Sequence, residues 1–297
     1  KRGKYRGIGI AMYLEACGGG SDGGIKIKFS KYGNVDIYAA QQDNGQGHKT
    51  TLTQIFSSVL GYNADLINVI QGDSQSTPRG VTGGAKMSAV LGSTVFEASK
   101  IILQKAIIKS AELLNSKENE ISFEDGIFKT NISNKTIRIE ELVDMLVDEN
   151  SEHPFNIVHQ YTPKGYSYTY GCHIVETEID QDTFFPKIVK YTIVDDHGNV
   201  INPKTLEGQI HGGIAQGVGQ SLYEYIHFDE SGQLLTGSLM DYVLPKASNF
   251  PEFNFYSYTT PCLNNILGVK GVGEVGAIGA PPAVISSISD ALEIAHI

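Results

Sequence analysis

The stretch GVGEVG at positions 271–276 places one carboxylate, Glu274, among glycines at 271, 273 and 276. This spacing satisfies G-x-G-x-x-G, which is typical of a dinucleotide-binding turn. Such a turn opens a βαβ unit, and an acidic residue follows it by about 20 positions after a second strand. Residues 277–297 contain one helical pattern and no second strand, and a carboxylate in the turn would repel a pyrophosphate. Two interpretations remain: a helix-entry turn with an incidental glutamate, or a loop that presents Glu274 as a general base.

Three further glycine-rich segments could bind an anion, because backbone N–H groups and the helix dipole attract negative charge at a helix start. For any one segment alone, close helix packing is the better explanation of the glycines. Several in one chain favour one large ligand that carries phosphate. The candidate residues are Gly45, Gln46, Gly47 and His48 in DNGQGHKT; Lys86 and Ser88 beside Gly80, Gly83 and Gly84 in RGVTGGAKMSAV; and Gln209 and Gln216, on one helical face, in GQIHGGIAQGVGQ.

Charge and cysteine content narrow the class of protein. The net charge is −10 and the longest basic cluster is KRGKYR at the start, which argues against a nucleic-acid partner. No apolar run approaches the roughly 20 residues of a membrane-spanning helix, and no signal peptide is recognisable. The three cysteines, Cys17, Cys172 and Cys262, form no C-x-x-C pair, and the sequence therefore predicts a reducing, cytoplasmic location.

Other catalytic and metal motifs are missing from the sequence. No H-x-x-x-H or His–Cys spacing indicates a metal site built from side chains. No G-x-S-x-G elbow indicates a serine nucleophile. The Asp195–Asp196 pair precedes a His-Gly turn and is interpreted as turn chemistry.

The pattern of elements predicts an α+β fold. In the first half, IKIKFSKYGNVDIYAA predicts a hairpin, GHKTTLTQIFSSVLGY a helix that stops at Gly61, and AKMSAV to AELL a long buried helix. In the second half, CHIVETEID and KIVKYTIVDD predict strands, and two helical patterns follow, EGQIHGGIAQGVGQSLYEY and PAVISSISDALEI. We place a subdomain boundary near residue 150, which gives subdomains of residues 1–150 and 151–297.

The motifs together resemble the molybdenum hydroxylases, the family of xanthine dehydrogenase, aldehyde oxidoreductase and the large subunit of carbon monoxide dehydrogenase. The resemblance covers nearly the whole chain in the family's order and corresponds to the C-terminal half of the family's molybdenum subunit. Two of the segments that carry it, the one that begins VDDHGN and the one that begins GVKGVG, are long and highly specific. The segments are RGIGIAMYLEACGG, NGQGHKTTLTQI, TGGAKMSAVLGS, VDDHGNVINPKTLEGQIHGGIAQGVGQSLYE, LMDYVLP and GVKGVGEVGAIGAPPAV.

The resemblance implies two elongated α+β subdomains that embrace a molybdopterin, often the cytosine dinucleotide form, whose dithiolene rather than a side chain holds the molybdenum. It implies that Gly45, Gln46, Gly47 and His48 lie near the pterin and metal end. The same resemblance places Gly84, Ala85, Lys86, Met87 and Ser88 near the dinucleotide phosphates, matches Gln209 and Gln216 to glutamines of the family's GGIAQG helix, and lines the metal site with Lys270, Gly271, Val272, Gly273 and Glu274.

The resemblance also implies an activity. Glu274 would be the general base in the hydroxylation of an aldehyde or N-heterocycle, with water as the oxygen source. The partners would be the N-terminal half of the molybdenum subunit and iron–sulfur and flavin modules. The alternatives are a non-catalytic half-subunit that needs a partner chain to bind cofactor, and a nucleotide-binding module. The sequence departs from the family at Ala85-Lys86-Met87, where many relatives have Ser-Arg-Ser, and at His197, where Cys is common. Lys86 cannot make the bidentate phosphate contact of Arg.

Overall fold

The computed structural model describes residues 3–18 and 23–295, so residues 19–22 of the glycine cluster at 18–24 lie outside the description. Helices and strands follow one another in mixed order along the chain, which confirms the expected α+β class. The strands are β1 (Lys4–Cys17), β2 (Gly24–Phe29), β3 (Val35–Ala39), β4 (Ile67–Ile70), β5 (Ile121–Glu124), β6 (Ile127–Thr130), β7 (Thr136–Arg138), β8 (Ile157–Gln160), β9 (Ser167–Asp180), β10 (Pro186–Asp196) and β11 (Phe253–Tyr258). The helices are α1 (His48–Leu60), α2 (Ser93–Leu114), α3 (Ile139–Met145), α4 (Pro203–Leu222) and α5 (Val275–Ala295).

Unit 1 of the fold combines Lys1–Cys17, Tyr168–Pro261 and Lys270–Ile297. Its sheet has the order β1-β9-β10-β11, with β9 and β10 antiparallel and β10 and β11 parallel. One face of the sheet packs against α4 and α5. The core between them contains Val175, Tyr191 and Ile193 from the strands and Ile210, Ile214, Val218 and Val284 from the helices.

Small residues on β1 explain how closely α5 approaches the sheet. Gly7, Gly9 and Ala11 occupy alternate, buried positions of the strand, and alternate residues of a strand face the same side. A Cβ at Gly7 or Gly9 would collide with the backbone oxygens of Ser287 and Ala283 on α5. The helix backbone therefore lies directly on the strand, where only glycine leaves room for it.

Unit 2 combines Gly18–Ser167 and Cys262–Val269. Its larger sheet has the order β4-β3-β2-β8 and is accompanied by α1 and α2. The smaller sheet, β5-β6-β7, is an antiparallel meander. The predicted hairpin is β2 and β3, and the predicted helix α1 ends where Gly61 takes the left-handed conformation at φ 55°.

The observed division differs from the predicted boundary between residues 1–150 and 151–297. Residues 1–17 belong with the second half of the chain, because β1 pairs into the sheet of β9 and β10 and packs on α5. Residues 151–167 stay with the first half, where β8 extends the sheet beyond β2. Both corrections come from long-range pairing, which a local pattern does not reveal.

The expectation that no apolar run is long enough to span a membrane is wrong for α5. Val275–Ile294 has a mean hydropathy of 1.3 over 20 residues and qualifies by length and composition. Its buried residues, among them Ala280, Ala283 and Val284, pack in the core of unit 1. Packing against β1 and α4 accounts for the apolar composition of this helix.

Candidate functional site

The loop that carries Glu274 is tied to the sheet of unit 1 at two points. The N–H of Lys270 donates to the His197 carbonyl at 3.1 Å. The carbonyl of Gly271 accepts from the Thr169 hydroxyl at 2.6 Å and from the Cys17 thiol at 3.7 Å. Val272 packs against the core of the unit, and Gly273 is exposed. The segment is therefore held firmly up to the start of α5.

Glu274 itself lies at the N-terminus of α5. Its carbonyl accepts the N–H of Ile278 at 3.0 Å, the first bond of the helix. Its side chain is half-buried, and the Oε2 atom is buried without a hydrogen-bond partner. A desolvated carboxylate oxygen with no partner retains its capacity to accept a proton. This is the property that a general base needs.

Lys270 forms a buried ion pair at the start of the same loop. Its ammonium lies 3.1 Å from Asp196 and 4.6 Å from the centre of the Tyr170 ring. Asp196 also accepts the N–H groups of Gly198 and Thr260 at 2.9 and 3.1 Å. Burial acts to raise the pKa of Asp196, but these hydrogen bonds outweigh it and hold the pKa well below its usual range. Asp196 thus serves the predicted turn and, in addition, anchors the Glu274 loop.

The glycines of the GVGEVG turn and of α4 are explained by close packing. A Cβ at Gly276 would lie 2.5 Å from the Ile210 carbonyl of α4, and one at Gly217 would lie 2.7 Å from Ala280 of α5. Gly279 covers the ring of His173 at a distance that leaves no room for a methyl group. Helix packing therefore explains the glycines of these two segments. The second strand of a dinucleotide-binding unit does not follow α5 within the described residues.

The two predicted glutamines of α4 differ in their surroundings. Gln216 is exposed and lines a cavity of about 410 Å³ with Gln220, Glu224, Tyr242 and Ala277. Gln209 is half-buried and is not among the residues that line this cavity. Of the pair, Gln216 is the one that the structure places at a ligand-sized opening.

In unit 2, the turn of Gly45, Gln46, Gly47 and His48 is closed by a neighbouring carboxylate. Asp43 accepts the N–H of Gly45 at 2.8 Å and that of His48 at 3.0 Å. Burial acts to raise the pKa of Asp43, and these backbone hydrogen bonds lower it overall. Two N–H groups that we expected to be open to an anion are therefore bonded within the protein.

The side chains of this turn are also engaged. Gln46 accepts the N–H of Asn44 at 2.5 Å. The His48 ring is buried, and its Nδ1 lies 3.1 Å from the Gln71 amide. Burial lowers the pKa of His48, so the ring is neutral at physiological pH. A neutral imidazole can donate one hydrogen bond but carries no charge for a phosphate.

The second segment, Gly84 to Ser88, has strained backbone at a helix start. Gly84 and Ala85 both have positive φ, 61° and 47°. Ala85 is unusual in this conformation, since a Cβ disfavours it. A π-helical turn, Ser88–Gly92, then precedes α2. Strained residues and π turns both concentrate at functional sites.

A cavity of about 750 Å³ lies beside these segments and includes a cation that sequence reasoning missed. It is lined by Gln42 and Asn44 from the first turn and by Arg79, Gly80 and Thr82 from the approach to the second. Arg79 stands directly before the glycines of RGVTGG, so its position in the motif is the signal that could have found it. Its guanidinium is suited to a phosphate.

Glu15 is a second residue that sequence reasoning missed. It lies on β1 at a half-buried position, and its carboxyl interacts with that of Glu274. Burial, followed by the charge of Glu274, raises the pKa of Glu15 to about 7. The available signal was the alternation of β1, which puts Glu15 on the same face as Ala11 and Cys17, both buried.

The described candidate residues offer open backbone and one carboxylate oxygen to a large ligand. Among the described residues, no group of three His, Cys, Asp or Glu side chains could hold a metal ion. Gly83 and Gly84 leave open space beside their backbone, because a Cβ there would meet no protein atom within 4 Å. Glu274 adds an unpartnered carboxylate oxygen. The candidate residues fall into two sets, 45–48 and 84–88 in unit 2, and Gln209, Gln216 and 270–274 in unit 1.

Comparison with known proteins finds relatives of similar sequence and structure. The large subunit of nicotine 6-hydroxylase from Paenarthrobacter nicotinovorans is 33% identical, with 98% of this chain and 38% of that subunit covered. The crystal structure of a copper- and molybdenum-containing CO dehydrogenase superposes with a TM-score of 0.87 at 29% identity, covering 98% of this chain and 39% of that one. Quinoline 2-oxidoreductase from Pseudomonas putida 86 gives 0.87 at 28% identity, with 100% and 40% covered.

The chain spans about two fifths of the length of these relatives. The family model of the molybdopterin cofactor-binding domain matches residues 1–251. The match covers most of the chain and includes the glycine segments of unit 2 and the helix α4. This chain therefore belongs to the molybdopterin cofactor-binding domain family of the molybdenum hydroxylases.

Proposed function

We propose that this chain is part of the molybdenum subunit of an oxidoreductase that hydroxylates a small N-heterocycle or aldehyde, as xanthine dehydrogenase-like enzymes do, with water as the oxygen source. The names of two relatives support the heterocycle, since nicotine and quinoline both contain a ring nitrogen. The observation that carries the proposal is Glu274, a buried carboxylate oxygen without a partner at the end of an anchored loop.

The cofactor of this proposal is molybdopterin in its cytosine dinucleotide form, which when bound would supply the two-electron oxidation of the substrate carbon. The open backbone at Gly84 would lie against its phosphates, together with the Arg79 side chain, and Gly45 would lie near the pterin. The further residues proposed to hold it are Gln46, Gly47, His48, Ala85, Lys86, Met87, Ser88, Gln209, Gln216, Lys270, Gly271, Val272 and Gly273.

Glu274 would act on the oxygen nucleophile. Its carboxylate would accept the proton that this oxygen loses as it attacks the substrate carbon. The Gly271 carbonyl, held by Thr169 and Cys17, fixes the loop, and the Lys270–Asp196 pair fixes its start. The protein thus supplies the base and its orientation.

The partners in this proposal are the rest of the molybdenum subunit and iron–sulfur and flavin subunits that carry electrons away. The share of each relative that is covered, about two fifths, supports the first of these. We expect the chain purified alone to carry little or no molybdenum, and metal analysis giving near one molybdenum per chain would contradict this. The three cysteines, Cys17, Cys172 and Cys262, are thiols rather than disulfides, which supports a cytoplasmic location.

The test is Glu274→Gln in the complete enzyme, which keeps the size of the side chain but cannot accept a proton. General base catalysis contributes about 10²–10⁴-fold, so turnover should fall by that factor while the molybdenum content stays near that of the wild type. Glu293→Gln is the matched control, because Glu293 is an exposed carboxylate on the same helix.

Two results would contradict the assignment. Turnover within a few-fold of the wild type, at full molybdenum content, would show that Glu274 is not the base. Loss of molybdenum together with activity would show that Glu274 is a structural residue of the loop, which is the interpretation that the glycine packing alone would favour.

A further inference from the structure

The packing of β1 on α5 places Glu15 beside the first turn of the helix. Gly9 lies against the backbone between Ala283 and Ser287. Glu15 is six strand residues further on, which is about 20 Å at the rise of a strand. The same length is about 13 residues of helix. As β1 advances from Gly7 to Gly9, its contacts move toward the N-terminus of α5. A point about 13 residues before the Gly9 contact lies in the loop that contains Glu274.

The contacts at the end of β1 confirm this register independently. The Cys17 thiol, two residues beyond Glu15, donates to the Gly271 carbonyl, three residues before Glu274. Tyr13, two residues before Glu15, contacts the His173 ring edge-on at 5.5 Å, and Gly279 of α5 lies over the same ring. Glu15 is thus bracketed by contacts on either side of Glu274.

Neither carboxyl has another partner to balance its charge. Glu15 Oε2 and Glu274 Oε2 are both buried without a hydrogen-bond partner, and no ion pair reaches either carboxyl within residues 3–18 and 23–295. The buried cation of the loop, Lys270, is paired with Asp196. Two neighbouring carboxylates without a cation cannot both be ionised at low cost, so one proton is retained.

We propose that Glu15 is a positioning residue for Glu274: the two carboxyls share one proton, held on Glu15 at rest, and this shared proton orients the Glu274 carboxylate. This rests on the proposed role of Glu274 as base. When Glu274 accepts the proton of the reacting oxygen, its negative charge disappears and no longer opposes ionisation of Glu15. The proton of Glu15 can then pass to solvent, since this carboxyl is only partly buried.

Three groups that face the pair, Cys17, Tyr13 and His173, titrate far from neutral pH. Burial raises the pKa of Cys17 to about 12 and raises that of Tyr13 further, and it lowers the pKa of His173 to about 4. The pKa of Glu15, by contrast, is raised to about 7. Further titratable groups around the site, among the described residues, include Asp195 and Asp196 from β10, His197 beside Asp195, and Lys270 from the loop.

The test is an infrared pH titration of protonated carboxyl groups in the complete enzyme, which does not depend on turnover. The wild type should show one carboxyl that loses its proton near pH 7. Glu15→Gln should lack this signal, and in Glu274→Gln the signal should move to lower pH, because the like charge is gone. Glu176→Gln on β9 is the control and should leave it unchanged, since Arg6 holds Glu176 ionised.

The pH profile of kcat/KM supplies the second readout. The neutral amide of the Glu15→Gln variant would mimic protonated Glu15, so the pH profile of this variant should lack an inflection near pH 7. A wild-type enzyme without a carboxyl titrating near neutral pH would overturn the proposal, even if Glu15→Gln does not fold. So would an unchanged titration in Glu15→Gln.

The two proposals can fail separately. Turnover retained in Glu274→Gln would overturn the base assignment and leave the shared proton standing. If Glu274→Gln is inactive but the wild-type enzyme shows no carboxyl that titrates near neutral pH, only the role of Glu15 is overturned.

Discussion

The Lys270 ammonium lies 3.1 Å from Asp196, and both side chains are buried. Lys270 begins the loop that ends at Glu274, and Asp196 ends β10. The pair therefore ties the proposed base to the sheet through a charge interaction in a dry environment. Buried pairs add little net stability compared with apolar residues, but the loss of one partner leaves an uncompensated charge.

We expect Asp196→Asn to destabilise the molybdenum subunit by about 3–5 kcal/mol, because the Lys270 charge would stay buried without its partner. Chemical denaturation measures this change. The control is Glu149→Gln, which removes an ion pair with Lys31. The Glu149 side chain is 77% exposed and the Lys31 side chain is 56% exposed. Exposed pairs contribute little. An Asp196→Asn protein as stable as the control would show that the buried pair has no anchoring role.

Close packing of α4 and α5 predicts opposite effects for two glycines of the same helix. Gly217→Ala should destabilise by about 1–3 kcal/mol, as overpacking does, because the new Cβ would lie 2.7 Å from Ala280 and 2.9 Å from the Pro281 ring. Gly212→Ala meets no atom within 4 Å, so it should stabilise by up to about 1 kcal/mol through helix propensity. Thermal unfolding of both variants checks the pair, and equal effects would contradict the packing explanation.

Local patterns were sufficient for the elements whose signals lie within one segment. The hairpin of β2 and β3 and the end of α1 at Gly61 both follow from turn residues and periodicity. The helix α4 formed despite its glycines, as expected.

The features that local patterns did not reveal depend on long-range contacts. The placement of β1 depends on a helix more than 260 residues later, and its small residues Gly7 and Gly9 have meaning only against α5. The cap of Asp43 on the first glycine turn and the approach of Glu15 to Glu274 likewise depend on the folded backbone. The glycine turn singled out Glu274 as a candidate in the sequence, whereas only the structure shows its neighbours.

An anion site at Gly84 predicts a charge-specific loss of cofactor. Gly84→Asp in the complete enzyme should lower the molybdenum and cytosine nucleotide content, because it adds a like charge beside the phosphates. Gly84 has φ 61°, so strain must be controlled. Gly84→Asn is the control, since Asn and Asp both tolerate this conformation and differ in charge. Equal cofactor content in the two variants would show that this segment does not bind the phosphates.

The raised pKa of Glu15 predicts how stability changes with pH. Burial and the Glu274 charge raise the pKa of Glu15 from 4.5 to about 7 in the folded protein. Between these values the folded state binds more protons than the unfolded state, so the stability that Glu15 contributes at low pH is lost as pH rises through 7.

Glu15→Gln should remove this slope and, above pH 7, stabilise the subunit by about 1–2 kcal/mol, allowing for partial exposure of the carboxyl. Glu176→Gln should instead destabilise the subunit at neutral pH. The hydrogen bond from Arg6 lowers the pKa of Glu176 below 4.5, so the Glu176 carboxylate stabilises the fold above pH 4.5. Denaturant unfolding of the wild type and both variants across this pH range measures the difference, and parallel curves for wild type and Glu15→Gln would show that Glu15 is ionised in the folded protein.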